Sequence, residues 1–136
     1  RFVAGFIGSP AMNFFEAGLV SFKGGIALQT SSFRIDLPEQ KARCVHNYPE
    51  KKVLVGIRPE DLLEAKEHVT GKTIPTTVEV VEPIGSEIYL TVSADDCELT
   101  ARVGRRTVVN PHDTFILEPS LDNLHLFDIR SEAALR

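Results

Sequence analysis

Apolar and polar residues alternate along this chain in short runs closed by turn residues. Phe33, Ile35 and Leu37 alternate with Arg34 and Asp36 until Pro38 stops the run, the period of two expected of a strand with one face on a core. Ile88, Leu90 and Val92 alternate with Glu87, Tyr89 and Thr91, and Leu99, Ala101 and Val103 alternate with Glu98, Thr100 and Arg102. These two runs are predicted to pair as a hairpin across residues 93–97, where Ala94-Asp95-Asp96 has turn chemistry. A second hairpin joins residues 19–22 to residues 26–29 across Lys23-Gly24-Gly25, since glycine takes the positive backbone angles of a tight turn. Residues 53–57, 76–81, 114–117 and 124–129 complete a set of roughly nine short strands, the pattern of an all-β sandwich or small barrel. One short helix is expected from Pro59, with Glu60 and Asp61 at its positive end and Leu62-Leu63 on its apolar side, ending before Gly71. Residues 38–52 read as a polar connection and residues 131–136 as a tail.

Composition narrows the class. With 136 residues and 43% hydrophobic content the chain is long enough to bury a core of its own. It opens with Arg1 and runs straight into Phe2-Val3-Ala4-Gly5-Phe6-Ile7, which leads us to expect a piece of a longer protein. No stretch approaches the eighteen or so consecutive apolar residues of a membrane-spanning helix, and the opening lacks the order of a secretory signal. Two separated cysteines, Cys44 and Cys97, with no Asn-x-Ser/Thr acceptor, fit a reducing cytoplasm. A formal charge of -4, with Lys51-Lys52 and Arg105-Arg106 as the adjacent basic pairs, argues against nucleic acid as a partner, because phosphate-backbone binding depends on clustered Lys and Arg.

Catalytic chemistry finds little support. Gly71-Lys72-Thr73 has the ending of a phosphate-binding loop, but such a loop needs a glycine five positions earlier and a helix immediately after. Position 66 is Lys, and Thr73 is followed by Ile74-Pro75 and a strand pattern. Cys44-x-His46 offers two metal ligands where a zinc site takes three or four, and His68, His112 and His125 are scattered. Neither a metal nor a bound cofactor is expected, and no nucleophile, base and oxyanion hole stand out as a set.

Four strings carry a resemblance that spans residues 2–128. Phe2-Val3-Ala4-Gly5-Phe6-Ile7-Gly8-Ser9-Pro10-Ala11-Met12-Asn13-Phe14 resembles the segment by which sugar-importer ATPases leave the nucleotide-binding domain and enter the C-terminal one. Val55-Gly56-Ile57-Arg58-Pro59-Glu60-Asp61-Leu62, then residues 78–87 from Val78 to Glu87, then Leu124-His125-Leu126-Phe127-Asp128 resemble three further motifs of that domain, in the family's order. The chain is similar to the C-terminal regulatory domain of the maltose-type ABC transporter ATP-binding subunit. The resemblance implies an all-β, OB-like (TOBE) small β-barrel with one short helix. It divides the chain into a linker and entry strand at residues 1–16, the regulatory domain at 17–130 and a tail at 131–136.

The same resemblance implies a role without bond chemistry in this region. ATP and Mg would bind in a nucleotide-binding domain outside it, two copies would meet through the regulatory domains, and the wider partners would be membrane permease subunits and, in some members, a cytoplasmic regulatory protein. The expected location is the cytoplasmic face of the plasma membrane, with a sugar or sugar-like solute as cargo. Copies that associate at about micromolar strength while tethered at about millimolar effective concentration stay in contact roughly a thousandfold over separation. Gly5 and Gly8 are candidates for close backbone approach, Pro10 for stiffening the exit from the preceding domain, and Asn13 for a bond to backbone at the first strand. Arg58 and Glu60 are candidates for an ion pair at a helix start. All six are structural and linker candidates, and none is assigned to catalysis.

Two rival classes remain. Relatives of this barrel type in molybdate uptake bind an oxyanion between subunits, which makes an oxyanion or sugar-phosphate sensor the alternative. The Ser-Ala-Arg that precedes their asparagine is replaced here by Pro10-Ala11-Met12, without the cationic donor. A nucleic-acid-binding barrel follows from fold alone and lacks exposed aromatics set between basic residues.

Overall fold

The computed structural model describes residues 11–136, which form two five-stranded antiparallel sheets. The strands run in chain order as β1 (Asn13–Phe22), β2 (Gly25–Gln29), β3 (Arg34–Asp36), β4 (Lys52–Ile57), β5 (Leu62–Ala65), β6 (Ile74–Ile84), β7 (Glu87–Ala94), β8 (Cys97–Gly104), β9 (Thr114–Pro119) and β10 (His125–Asp128). The first sheet has the order β10-β4-β1-β2-β3 and the second β5-β9-β6-β7-β8. In the second sheet the two edge strands β5 and β8 lie against each other, as does the turn leading into β5 against β8, so the sheet curls toward a small barrel. The strand-rich fold anticipated from the alternating pattern is therefore present.

Both predicted hairpins form, each through a two-residue loop. Phe22 pairs with Gly25, and Lys23 and Gly24 between them both have positive φ, 50° and 79°, as a type I′ turn requires to match the strand twist. Ala94 pairs with Cys97, with Asp95 at φ 56°, a conformation aspartate tolerates. One core serves both sheets: Val53 and Val55 of β4 join Leu90 and Val92 of β7 and Leu117 of β9, all fully buried. In β6 the register slips at a bulge, with Val78 opposite Val92 and Val80 opposite Thr91. The extra residue, Glu79, turns Val80 out of the core at 51% exposure while Val78 is completely buried.

The structure corrects the helix. Pro59–Asp61 makes a single 3-10 turn, after which Leu62 opens β5 instead of continuing a helix toward Gly71. Leu62 pairs with Pro119 of β9 and is fully buried, so ladder hydrogen bonds and burial outweigh the local helix-start signal. Among the described residues the one α-helical turn, α1 (Glu39–Ala42), lies in the stretch read as a polar connection, and a 3-10 turn at Arg43–Val45 continues it. Only Ala42 and Val45 face the core there, too few apolar positions to show a period.

Outer strands are covered. On β3, the Asp36 N–H donates to the Gly71 carbonyl at 2.8 Å. On β10, Ala134 bridges Phe127 and the Leu135 N–H donates to Leu126 O at 2.9 Å. Tyr48 fastens the same end: its hydroxyl donates to Lys52 O at 2.7 Å and accepts the Ile129 N–H at 2.9 Å. Burial, the largest cause, raises the Tyr48 phenol above its ordinary value near 10. The sign follows: a proton held more tightly in the folded state stabilises fully below pH ~10, and that stabilisation is lost as the pH rises through the higher folded value. Tyr48→Phe is expected to cost about 1–2 kcal/mol in urea unfolding between pH 6 and 9, with the gap to the parent chain narrowing above pH ~10. An unchanged gap at high pH would remove the phenol proton from the account.

Candidate functional site: the junction of the two sheets

The sequence candidates that fall among the described residues gather where the sheets join. Asn13 begins β1 at the edge of one sheet's ladder, and its side chain reaches the other sheet. Its Nδ2 donates to Thr100 O at 2.9 Å and its Oδ1 accepts the Thr100 N–H at 2.8 Å, so one amide satisfies both backbone groups of a residue on the outer strand β8. Gly5, Gly8 and Pro10 lie outside the described residues.

Arg58 and Glu60 stand at the crossover, where β4 leaves the first sheet and the Pro59–Asp61 turn enters the second. Among the described residues no ion pair joins them. Their charges act in different directions: Arg58, with Lys41, bears on His125 of β10, and Glu60 bears on Arg102 of β8. Arg102 is anchored by Glu87 at 2.7 Å, and its guanidinium is held in the charged form first by a hydrogen bond with Tyr89 and then by Glu87 and Glu60. The His125 imidazole is pushed below the usual histidine value by burial, then by Lys41 and Arg58, with Asp61 opposing.

Gly56 completes the junction. In register it stands between Phe14 of β1 and His125 of β10. A Cβ there would lie 2.7 Å from Met12 Sδ and 2.8 Å from a Phe127 ring carbon. The bare backbone lets Phe14 and Phe127 close over it with ring centroids 5.8 Å apart. The string Val55-Gly56-Ile57-Arg58 thus folds as a strand whose inward residues fill the core and whose glycine admits a cluster on the other face.

Chemically reactive groups are occupied or dispersed. Among the described residues no three His, Cys, Asp or Glu side chains gather to hold a metal ion. Cys97 is pushed up to about 11, chiefly by burial and then by Asp96, so its thiol stays protonated at neutral pH. Thr73 of Gly71-Lys72-Thr73 is buried and clasps its own loop, with Oγ1 accepting the Val69 N–H at 2.8 Å and meeting His68 Nδ1 at 2.7 Å. Gly71 has φ +88° and sits against Asp36 and Arg34. These residues shape a turn between strands and present no row of free N–H groups to a phosphate. Sequence reasoning did not single out Gly56, Tyr48 or the Thr100 end of the Asn13 clamp. Gly56 lies inside the Val55–Leu62 motif, and a glycine inside a strand pattern is the signal for close approach of a neighbour.

Comparison with known proteins places this geometry. Residues 8–62 match the MalK OB fold domain, and residues 55–127 match the TOBE domain. The multiple sugar-binding transport ATP-binding protein MsmK of Streptococcus mutans is 36% identical over 100% of this chain and 37% of its own length. The oligosaccharides import ATP-binding protein MsmX of Bacillus subtilis is 34% identical over 99% of this chain and 37% of its own length. This chain therefore spans little more than a third of the curated relatives it matches. Among solved structures, the molybdate-binding protein ModG superposes with a TM-score of 0.65 over 84% of this chain and 94% of that one, at 15% identity, a likeness of fold.

Proposed function

This chain belongs to the TOBE domain family, and on that premise we propose that it is the regulatory and dimerising part of the ATP-binding subunit of an importer for sugars or sugar-like solutes. The observation that carries the reading is the tandem match: an OB segment at residues 8–62 runs into a TOBE segment at 55–127, in relatives named for sugar and oligosaccharide transport. Their overlap, residues 55–62, is the crossover through Arg58 and Glu60, so the two matched segments share one folded unit with a common core.

The work proposed for such a unit is mechanical. ATP and Mg bind in a nucleotide-binding domain beyond these residues, and the regulatory domains keep two subunits together while that interface opens and closes. The permease subunits and a cytoplasmic regulator are the remaining partners, and the subunit sits at the cytoplasmic face of the membrane. Asn13 is the residue best placed to couple the parts, because it lies just after the linker strings and clamps β8 directly.

Sedimentation equilibrium of the chain over a concentration series tests the dimer. Reversible self-association with a dissociation constant of about 1–100 μM is expected, the range in which tethering gives a lasting contact. A strictly monomeric chain at hundreds of micromolar would remove the dimerising role.

A further inference from the structure

A cleft of about 280 Å³ opens between α1, β10 and the C-terminal segment, lined by Lys41, Cys44, His125 and Arg136 over a floor that includes Leu124 and Leu126. Across Ala134 and Leu135 a second hollow continues it and adds Arg43. The chain carries a net charge of -4, yet this corner is basic: Lys41, Arg43, Arg58, His125 and Arg136 lie in or beside it.

What distinguishes the corner is which charges are engaged. Among the described residues the side chains of Lys41, Arg43, Arg58 and Arg136 enter no ion pair or hydrogen bond. The acids around them are engaged. Asp61 accepts from Asn123 at 3.1 Å, Asp122 accepts from Gln40 at 3.2 Å, and Asp128 accepts the N–H groups of Arg130 and Ser131 at 2.8 and 3.2 Å. Cationic donors without a bonded acid thus stand beside an apolar wall, while the nearby acids already hold donors of the chain, a combination complementary to a small anion with a less polar body.

We propose that this cleft binds a phosphate monoester, with Lys41 and His125 donating to the phosphoryl oxygens, Arg58 and Arg43 adding field, and the organic part resting against Ala134 and Leu135. The site is separate from the Met12-Asn13 strand and lies within a single chain. Burial, and after it Lys41 and Arg58, disfavour a proton on His125, and Asp61 is the acid that opposes them. A bound dianion offsets the two cations, so occupancy moves the His125 titration upward.

The proposal is independent of dimerisation, and its test reads a different quantity. The His125 ring signals would be followed by NMR through a pH titration of the purified chain with inorganic phosphate, glucose 6-phosphate or glucose added. Saturable shifts with inorganic phosphate or glucose 6-phosphate, an upward move of the His125 titration and no response to glucose are expected. Tighter binding of glucose 6-phosphate assigns an organic ester as the source, and equal binding assigns the free ion. Lys41→Gln, on a side chain with no hydrogen bond or ion pair among the described residues, should weaken binding about tenfold, the loss expected for one hydrogen bond between charged groups, while Lys66→Gln leaves it unchanged. No saturation by tens of millimolar phosphate, the same affinity in Lys41→Gln, or an equal response to glucose would overturn it. Sedimentation of the same samples reports on the dimer separately.

Discussion

Leu90→Ala is expected to lower the free energy of unfolding by about 3 kcal/mol, while Val80→Ala leaves it within about 0.5 kcal/mol. Leu90 is completely buried in β7, between Val81 of β6 and Ala101 of β8, and removing its side chain leaves a cavity that rigid ladders on both sides cannot collapse. Val80 is next to Val81 in sequence and equally apolar, but the bulge at Glu79 turns it to solvent. Urea midpoints of the two variants measure the difference. Equal losses would mean that β6 runs without the bulge and that Val80 faces the core.

Asn13→Ala is expected to cost about 2–3 kcal/mol. It removes two hydrogen bonds and leaves both backbone groups of Thr100 unpaired at a half-buried outer strand, so the penalty exceeds that of a bond simply absent. Asn13→Asp separates the two halves of the clamp. A carboxylate still accepts the Thr100 N–H but meets the Thr100 carbonyl with no proton to give. Its loss should match that of the alanine variant near pH 7 and shrink relative to it as the pH falls and the carboxyl protonates, again read from urea unfolding. If both variants unfold with the parent chain, Asn13 is not what joins β1 to β8.

The alternating strands were legible because each buries one face: Glu87 to Val92 and Leu99 to Val103 show in order which residues point inward, and the structure agrees position by position. The bulge in β6 was not legible, since Thr76 to Val81 reads the same with or without an extra residue and only the partner strand reveals it. At Pro59 the local signal was real but short. It starts a helical turn of three residues, and the open edge of β9 then captures Leu62. α1 was hidden because its burial rests on Ala42 and Val45 alone. Of the junction, sequence named Asn13, Arg58 and Glu60 but not what they meet, because Thr100, His125 and Arg102 lie on strands dozens of residues away whose neighbours are set by topology. The strings that matched the family marked the corner, and the contacts within it required the fold.

The covered outer strands limit how copies of this chain can meet. With Gly71 lying along β3, Ala134 along β10, and Asn13 holding Thr100 of β8, much of the main-chain bonding capacity at the margins is already committed. Another molecule therefore has less to gain by extending either sheet as an added ribbon than by attaching through side chains on the faces or loops. Attachment of that kind comes apart without unpicking the fold. Margins committed in this way are a poor template for the open-ended strand stacking of fibres.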